Sequence, residues 1–302
     1  MTSGRHRQDE QAHEGGHHHG DHGHEHGHGA YDPSNLQRAD AFYGAVYAQI
    51  IGWLDIAPGT AALEAGSGAG GFTELLAEAV GQEGRVAALD AAPELLQTAR
   101  GRLDHGPFGG RVSYHEGDIR HLPFEDSQFD VVWSSRTVHH LPDQLVGVWE
   151  LCRVLKPGGR LVLREGGLRP RFLPTDLGIG EPGLEDRLEL AWARWFESHV
   201  RGGEDAVRYP YGWTQILRDA GLVDVTAKTF LLELLPPFTG VQVEYMTGLL
   251  GRWVGSDERR AFITDEEAGV IAQLIDPESP RYAFNRRDLH YVEGVTVYVG
   301  EA

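Results

Sequence analysis

The sequence predicts an α/β fold, a mostly parallel sheet with helices on both faces, and three observations carry that prediction. From Thr60 to Arg164 short apolar runs alternate regularly with stretches of helical period. Strong breakers separate them, at Pro58-Gly59, Pro93 and Lys156-Pro157-Gly158-Gly159. No internal repeat is visible. Parallel strands need crossover connections, and helices that make the crossovers cover the sheet on both sides.

The elements follow in order. Leu36, Ala39, Tyr43, Val46, Ile50 and Leu54 recur at helical spacing, which gives an amphipathic helix ended by Pro58-Gly59. Thr60–Ala65 reads as a buried strand and Gly71–Val80 as a helix. Arg85–Asp90 is a second strand, and Pro93 opens a helix that turns Leu95, Leu96, Ala99 and Leu103 inward. Arg111–His115 and Phe129–Ser134 are the third and fourth strands. The helix Gln144–Leu155 is expected to stop at Lys156-Pro157-Gly158-Gly159, with the lysine at the negative end of the dipole. Arg160–Arg164 is the fifth strand.

The second half is less regular. Helices are expected around Leu184–Trp195 and Trp213–Ala220. Val223, Val225, Ala227 and Thr229 alternate with polar residues, a strand with one wetter face, and Val295, Val297 and Val299 form a last strand. Helical stretches near 240–254 and 265–275 fall between those strands. An insertion this long is no plain hairpin loop and reads as a cap. Three regions result: a His-rich tail over 1–30, a core over 31–166, and a completion of the sheet with helical cap inserts over 167–302.

Composition limits the partners. The formal charge of -18, with only Lys156 and Lys228 as lysines, argues against nucleic acid and favours a small neutral or cationic partner. No apolar stretch approaches the roughly 18 residues needed to span a bilayer, and the polar N-terminus is no secretory signal, so a cytoplasmic location is expected. Cys152, the single cysteine, lies in a helical apolar pattern and reads as a structural thiol rather than a nucleophile.

The tail carries nine of the sixteen histidines and almost no apolar side chain. It cannot bury enough surface to offset its ordering entropy and is expected to be disordered. His17, His18, His19, His22, His24, His26 and His28 can chelate a divalent metal loosely, but the spacing defines no centre and no required metal is predicted.

The chemistry concentrates in Leu63-Glu64-Ala65-Gly66-Ser67-Gly68-Ala69-Gly70-Gly71. Glycines after a buried strand let a ligand approach the backbone, and the next helix points free amides at it. Taken alone this also fits a dinucleotide site, or tight packing with no ligand. Asp90 ends the second strand, where a carboxylate can accept both hydrogens of a ribose diol. Gly117-Asp118-Ile119 follows the third strand, where an adenine edge can be read. Glu64, directly before the first glycine, repels a pyrophosphate and attracts the ammonium of a methionine. That sign favours S-adenosylmethionine (SAM) over NAD.

These blocks, with VAALD at 86–90, GDIRHLPFEDSQFDVVWSS at 117–135, HHLPD at 139–143 and LCRVLKPGGRLVL at 151–163, resemble the class I SAM-dependent methyltransferases. The resemblance is to their small-molecule branch, to which the ubiquinone/menaquinone methyltransferases belong, and it covers about residues 60–166. It implies a Rossmann-like sheet of seven strands with the last reversed, SAM as methyl donor and a small-molecule acceptor. It places Gly66 and Gly68 under the methionine and ribose, Glu64 near the amino group and Asp90 on the ribose hydroxyls. Asp118 would take the adenine amino group and Ile119, through its amide, the ring nitrogen. Ser134, Ser135 and Arg136 would line the methyl-transfer mouth.

Methyl transfer needs a base only if the acceptor must lose a proton. His139 and His140, after the fourth strand, are the candidates, with a structural His pair as the alternative; His121 is a weaker one. Trp192, Trp195, Phe196, Tyr209, Tyr211, Trp213 and Phe238 are either core or a wall over the methyl, the latter suiting a cationic or aromatic acceptor. Two rival readings remain: an NAD-dependent oxidoreductase, and a non-catalytic SAM-fold binding module that uses its tail.

Overall fold

A computed structural model describes residues 32–203 and 205–302. The tail histidines His17 to His28, and with them the expected loose metal site, lie outside the described residues. The described chain opens on helix α1 (Pro33–Leu54), where Asp32 accepts the Ser34 N–H at 2.9 Å and Pro33 starts the first turn. Its buried stripe of Phe42, Tyr43, Val46, Tyr47, Ile50 and Leu54 follows the helical period, and packs mainly on α2 (Gly71–Ala79) and α7 (Gly240–Gly251).

The sheet has eight strands among the described residues: β1 (Ala61–Ala65), β2 (Arg85–Asp90), β3 (Val112–Glu116), β4 (Phe129–Ser135), β5 (Leu155–Arg164), β6 (Leu168–Arg171), β7 (Val223–Leu234) and β8 (Tyr291–Glu301). The order is β3-β2-β1-β4-β5-β8-β7, the first five parallel and β8 antiparallel to both its neighbours. The short β6 is the addition to the expected seven, pairing with β8 beyond the end of β5. The order in which strands are added reverses at β1, with β2 and β3 on one side and β4 and β5 on the other. Ligands of open parallel sheets bind at the carboxyl ends of strands at such a switch point.

The pleat sorts the core. Ala62, Val131, Trp133 and Val162 face one apolar layer with α1, α2, α5 (Leu184–His199), α7 and α9 (Asp265–Ile275). Leu63, Val132, Leu161 and Leu163 face the other, with α4 (Gln144–Arg153) and α6 (Trp213–Asp219). The remaining helices are α3 (Pro93–Leu103) and the one-turn α8 (Asp257–Arg260). Both α7 and α9 begin with reciprocal capping boxes, Thr239 with Gln242 and Thr264 with Glu267.

Two expectations change. The helix before Lys156 ends at Arg153, and Leu155 already pairs with Phe129 in the sheet. Lys156 bonds Asp130 at 2.8 Å instead of the helix end, because pairing with β4 captures the backbone first. Along β7 the buried residues are Phe230 and Leu232, while Val223 is 59% exposed. As the edge strand it is covered only toward its C-terminal half, where Trp53 of α1 meets Phe230 at 5.6 Å.

Candidate active site

The loop after β1 is held by its neighbour strand. Gly66 and Ser67 donate their N–H groups to the Leu89 carbonyl at 2.8 and 2.9 Å, and Gly68 N–H donates to Asp90 Oδ2 at 2.8 Å. The other Asp90 oxygen accepts Ala92 N–H at 3.0 Å, so the loop and the strand end fix this carboxylate at the switch point. Gly66 has φ +83°, and a Cβ there would overlap Thr137. Gly68, with φ +53°, has nothing nearer than Leu36 Cδ1 at 3.4 Å. Packing therefore accounts for Gly66, while Gly68 leaves room beside the loop.

Three carboxylates converge here. Glu64 is buried, and Thr73 donates its hydroxyl to Glu64 Oε2 at 2.5 Å. Burial, reinforced by the negative charges of Asp40 and Asp90, pushes the Glu64 carboxyl well above the usual range. Asp40, on α1, lies against Gly71, where a Cβ would run into its carboxylate. Burial raises Asp40 to about 6, against the pull of Arg102. The sequence reading missed Asp40. Its signal was an acid three and seven residues before Tyr43 and Tyr47, on the buried stripe of an amphipathic helix. Acidic side chains gathered at the glycine loop, in their ionised form, attract a cation and repel a diphosphate.

Beyond β3, burial raises the Asp118 carboxyl, but Arg120 outweighs it and holds the group below its usual range. The guanidinium grips it at 2.6 and 2.9 Å, and Arg120 N–H adds a bond of 2.7 Å. The Ile119 side chain is buried in the α4 layer. His121 closes this turn, donating its N–H to the Asp118 carbonyl at 2.9 Å.

The end of β4 divides its predicted residues. Ser134 is buried and donates to the Ala65 carbonyl at 2.8 Å, a tie between β4 and β1. Ser135 is half-buried, and its hydroxyl lies 3.4 Å from the donating Arg164 Nη1. Arg136 adopts the left-handed region at φ +54° and reaches solvent, although Tyr245, Tyr43, Arg164 and Tyr47 all lie near enough to act on its charge.

His139 is oriented by a residue that the sequence reading missed. Glu165, buried at the end of β5, accepts the N–H groups of Thr137 at 3.1 Å and Val138 at 3.0 Å through Oε1. Its Oε2 lies 2.5 Å from His139 Nδ1. A carboxylate only accepts, so Nδ1 carries a proton, and in the neutral imidazole the lone pair is then on Nε2. The His140 ring lies 4.1 Å from that of His139 and is exposed. The available signal for Glu165 was an acid directly after a buried strand, at the sheet's ligand-binding edge.

The seven predicted aromatics do not form one cluster. Trp192 stacks on Phe196 at 4.5 Å, and Phe196 lies 5.7 Å from His139. Tyr209 pairs with Tyr211, Trp213 joins the α6 layer and Phe238 meets Phe284. Burial pushes the Cys152 thiol up to about 12, which keeps it protonated and unreactive. Among the described residues, no group of three or more His, Cys, Asp or Glu is placed to hold a metal. None of the described helices is long and apolar enough to cross a membrane.

Comparison with known proteins bears on the same region. The methyltransferase domain family matches residues 63–163. A demethylmenaquinone methyltransferase of Bacillus cereus (strain B4264) is 33% identical over 202 residues, covering 63% of this chain and 81% of that protein. The corresponding enzyme of Shouchella clausii is 35% identical over 37% of this chain and 47% of its own length. For this and several other curated relatives, the chain spans less than half of their length. A solved protein of Bacillus halodurans C-125 shares the fold at 19% identity and a TM-score of 0.50, with 84% of this chain and 97% of that one covered.

Proposed function

The chain belongs to the class I SAM-dependent methyltransferases, and from that premise we propose that it transfers a methyl group from SAM to a small-molecule acceptor. The observation that carries this reading is the acidic lining of the glycine loop, with Glu64 and Asp40 beside the space that Gly68 leaves open. These residues fit an amino-acid ligand: Glu64 and Asp40 would hold its ammonium, and Asp90 would take the ribose hydroxyls. Asp118 and the Ile119 amide would read the adenine, with Arg120 setting the carboxylate's direction. When bound, SAM supplies an electrophilic methyl group on a sulfonium.

His139 would act as the base for an acceptor that must lose a proton, taking it at Nε2. Glu165, a positioning residue, would hold the ring and stabilise the resulting imidazolium. Phe196, 5.7 Å from the His139 ring, and Trp192, stacked on it, would help to exclude water around that imidazole. Alignment of the acceptor and removal of water would supply much of the acceleration.

Equilibrium dialysis of the purified protein against SAM and NADH tests the proposal. Retention of SAM with NADH excluded is the expected result. Retention of NADH with SAM ignored would sink it, since the acidic lining would then have the wrong consequence.

A further inference from the structure

Forty-five carboxylates face 27 basic side chains in the sequence, yet the helical layer beside β4 and β6 gathers guanidinium groups. Arg136 follows β4, Arg169 lies on β6, Arg252 ends α7 and Arg259 lies on α8. Burial, and then the guanidiniums of Arg259, Arg136 and Arg169, pull Arg252 down to about 10, so these four groups share one neighbourhood. Arg169 pairs with Glu189 at 2.6 Å. Among the described residues, Arg136, Arg252 and Arg259 form no ion pair.

Two donors in the same layer are also unanswered. Arg252 Nε and Trp195 Nε1 are buried without a hydrogen-bond partner, and Arg259 lies 4.5 Å over the Trp195 ring. Gathering like charges and burying unpaired donors both cost free energy; Glu189 and the Trp192 and Trp195 rings offset part of the charge cost, but Arg252 Nε and Trp195 Nε1 stay unpaired. The layer adjoins the candidate base: Arg169 lies 3.1 Å over Trp192, which stacks on Phe196 beside His139.

Resting on the methyl-transfer reading, we propose that this arginine cluster receives an oxyanion, a carboxylate or a phosphate, carried by the methyl acceptor. A guanidinium fork matches either group and is less strongly hydrated than an ammonium, which suits a half-buried site. The acceptor is then anionic, not neutral or cationic as the net charge suggests. The nearest charges set the local field, because salt screens the distant ones within about 8–10 Å.

The test compares benzoate, its neutral isostere benzamide, and inorganic phosphate by calorimetry on the full chain at constant ionic strength. Benzoate or phosphate is expected to bind at least about tenfold tighter than benzamide, and whichever anion is preferred identifies the source. Arg252→Met and the more peripheral Arg259→Gln should each remove that preference, while Arg208→Gln, at an exposed ion pair with Glu197, should not. Equal binding of benzoate and benzamide with no binding of phosphate, or a preference that survives both variants, would overturn the proposal. S-adenosylhomocysteine is titrated into the same samples. Failure of the wild type to bind it would speak against methyl transfer, and the anion comparison would still be read on its own.

Discussion

Asp40 and Glu165 show how much a single side chain can decide once the fold has placed it. Asp40 is raised to about 6 by burial, so it is charged above that pH and neutral below it. An ammonium bound beside it would favour the charged form, so binding should lower its pKa and release protons near pH 6. SAM affinity is therefore expected to weaken as the pH falls from 7 to 5, and Asp40→Asn should flatten that dependence. Calorimetry in two buffers of different ionisation enthalpy checks both the slope and the proton release. Glu165 accepts two backbone N–H groups as well as the imidazole. If it positions His139 as a base, Glu165→Gln should lower kcat by about a hundredfold for an acceptor that loses a proton. SAM affinity should hold, and Glu165→Asp should recover part of the rate. A loss confined to KM would mean that the dyad only shapes the pocket.

At the scale of elements, α1 links the donor loop to the helical insertion. Its Asp40 touches the glycine loop, while Phe42 stacks on Tyr245 of α7 at 4.0 Å. Tyr43 shares a hydrogen bond of 2.8 Å with the Tyr245 hydroxyl and donates to Glu293 of β8 at 2.9 Å. Ile50 is fully buried further along the same stripe. Ile50→Ala should cost about 2–5 kcal/mol of stability, read from the urea midpoint with m unchanged. Because α1 packs on both α2 and α7, the same variant should weaken SAM binding even at temperatures where the protein remains folded. An unchanged midpoint would mean that α1 is not part of the cooperative core.

For the whole molecule, the residues assigned to donor binding and to the base lie between Asp40 and Glu165, and the arginine cluster between Arg136 and Arg259. None of them belongs to the His-rich tail. Deleting residues 1–29 is accordingly expected to leave methyl transfer and Tm unchanged. Activity lost on deletion and restored by added nickel or zinc would show instead that the tail takes part.

The order of strands and helices, the glycine turn and the acids at Glu64, Asp90 and Asp118 were legible in the sequence, since each is written in a local pattern. Hydrophobic period, breakers and the residues next to a strand end act over a few positions, and parallel sheets follow from their alternation. Tertiary structure alone decided which distant groups meet. It brought Asp40 against Gly71, 31 residues later, Glu165 onto His139, and guanidiniums from β6, α7 and α8 toward Arg136. It also turned Ser134 into a tie between strands and ended the helix before Lys156. Long-range packing fixes the burial and the neighbours of a charge. Those two quantities set its pKa and its pairing, and neither follows from the residues beside it in the chain.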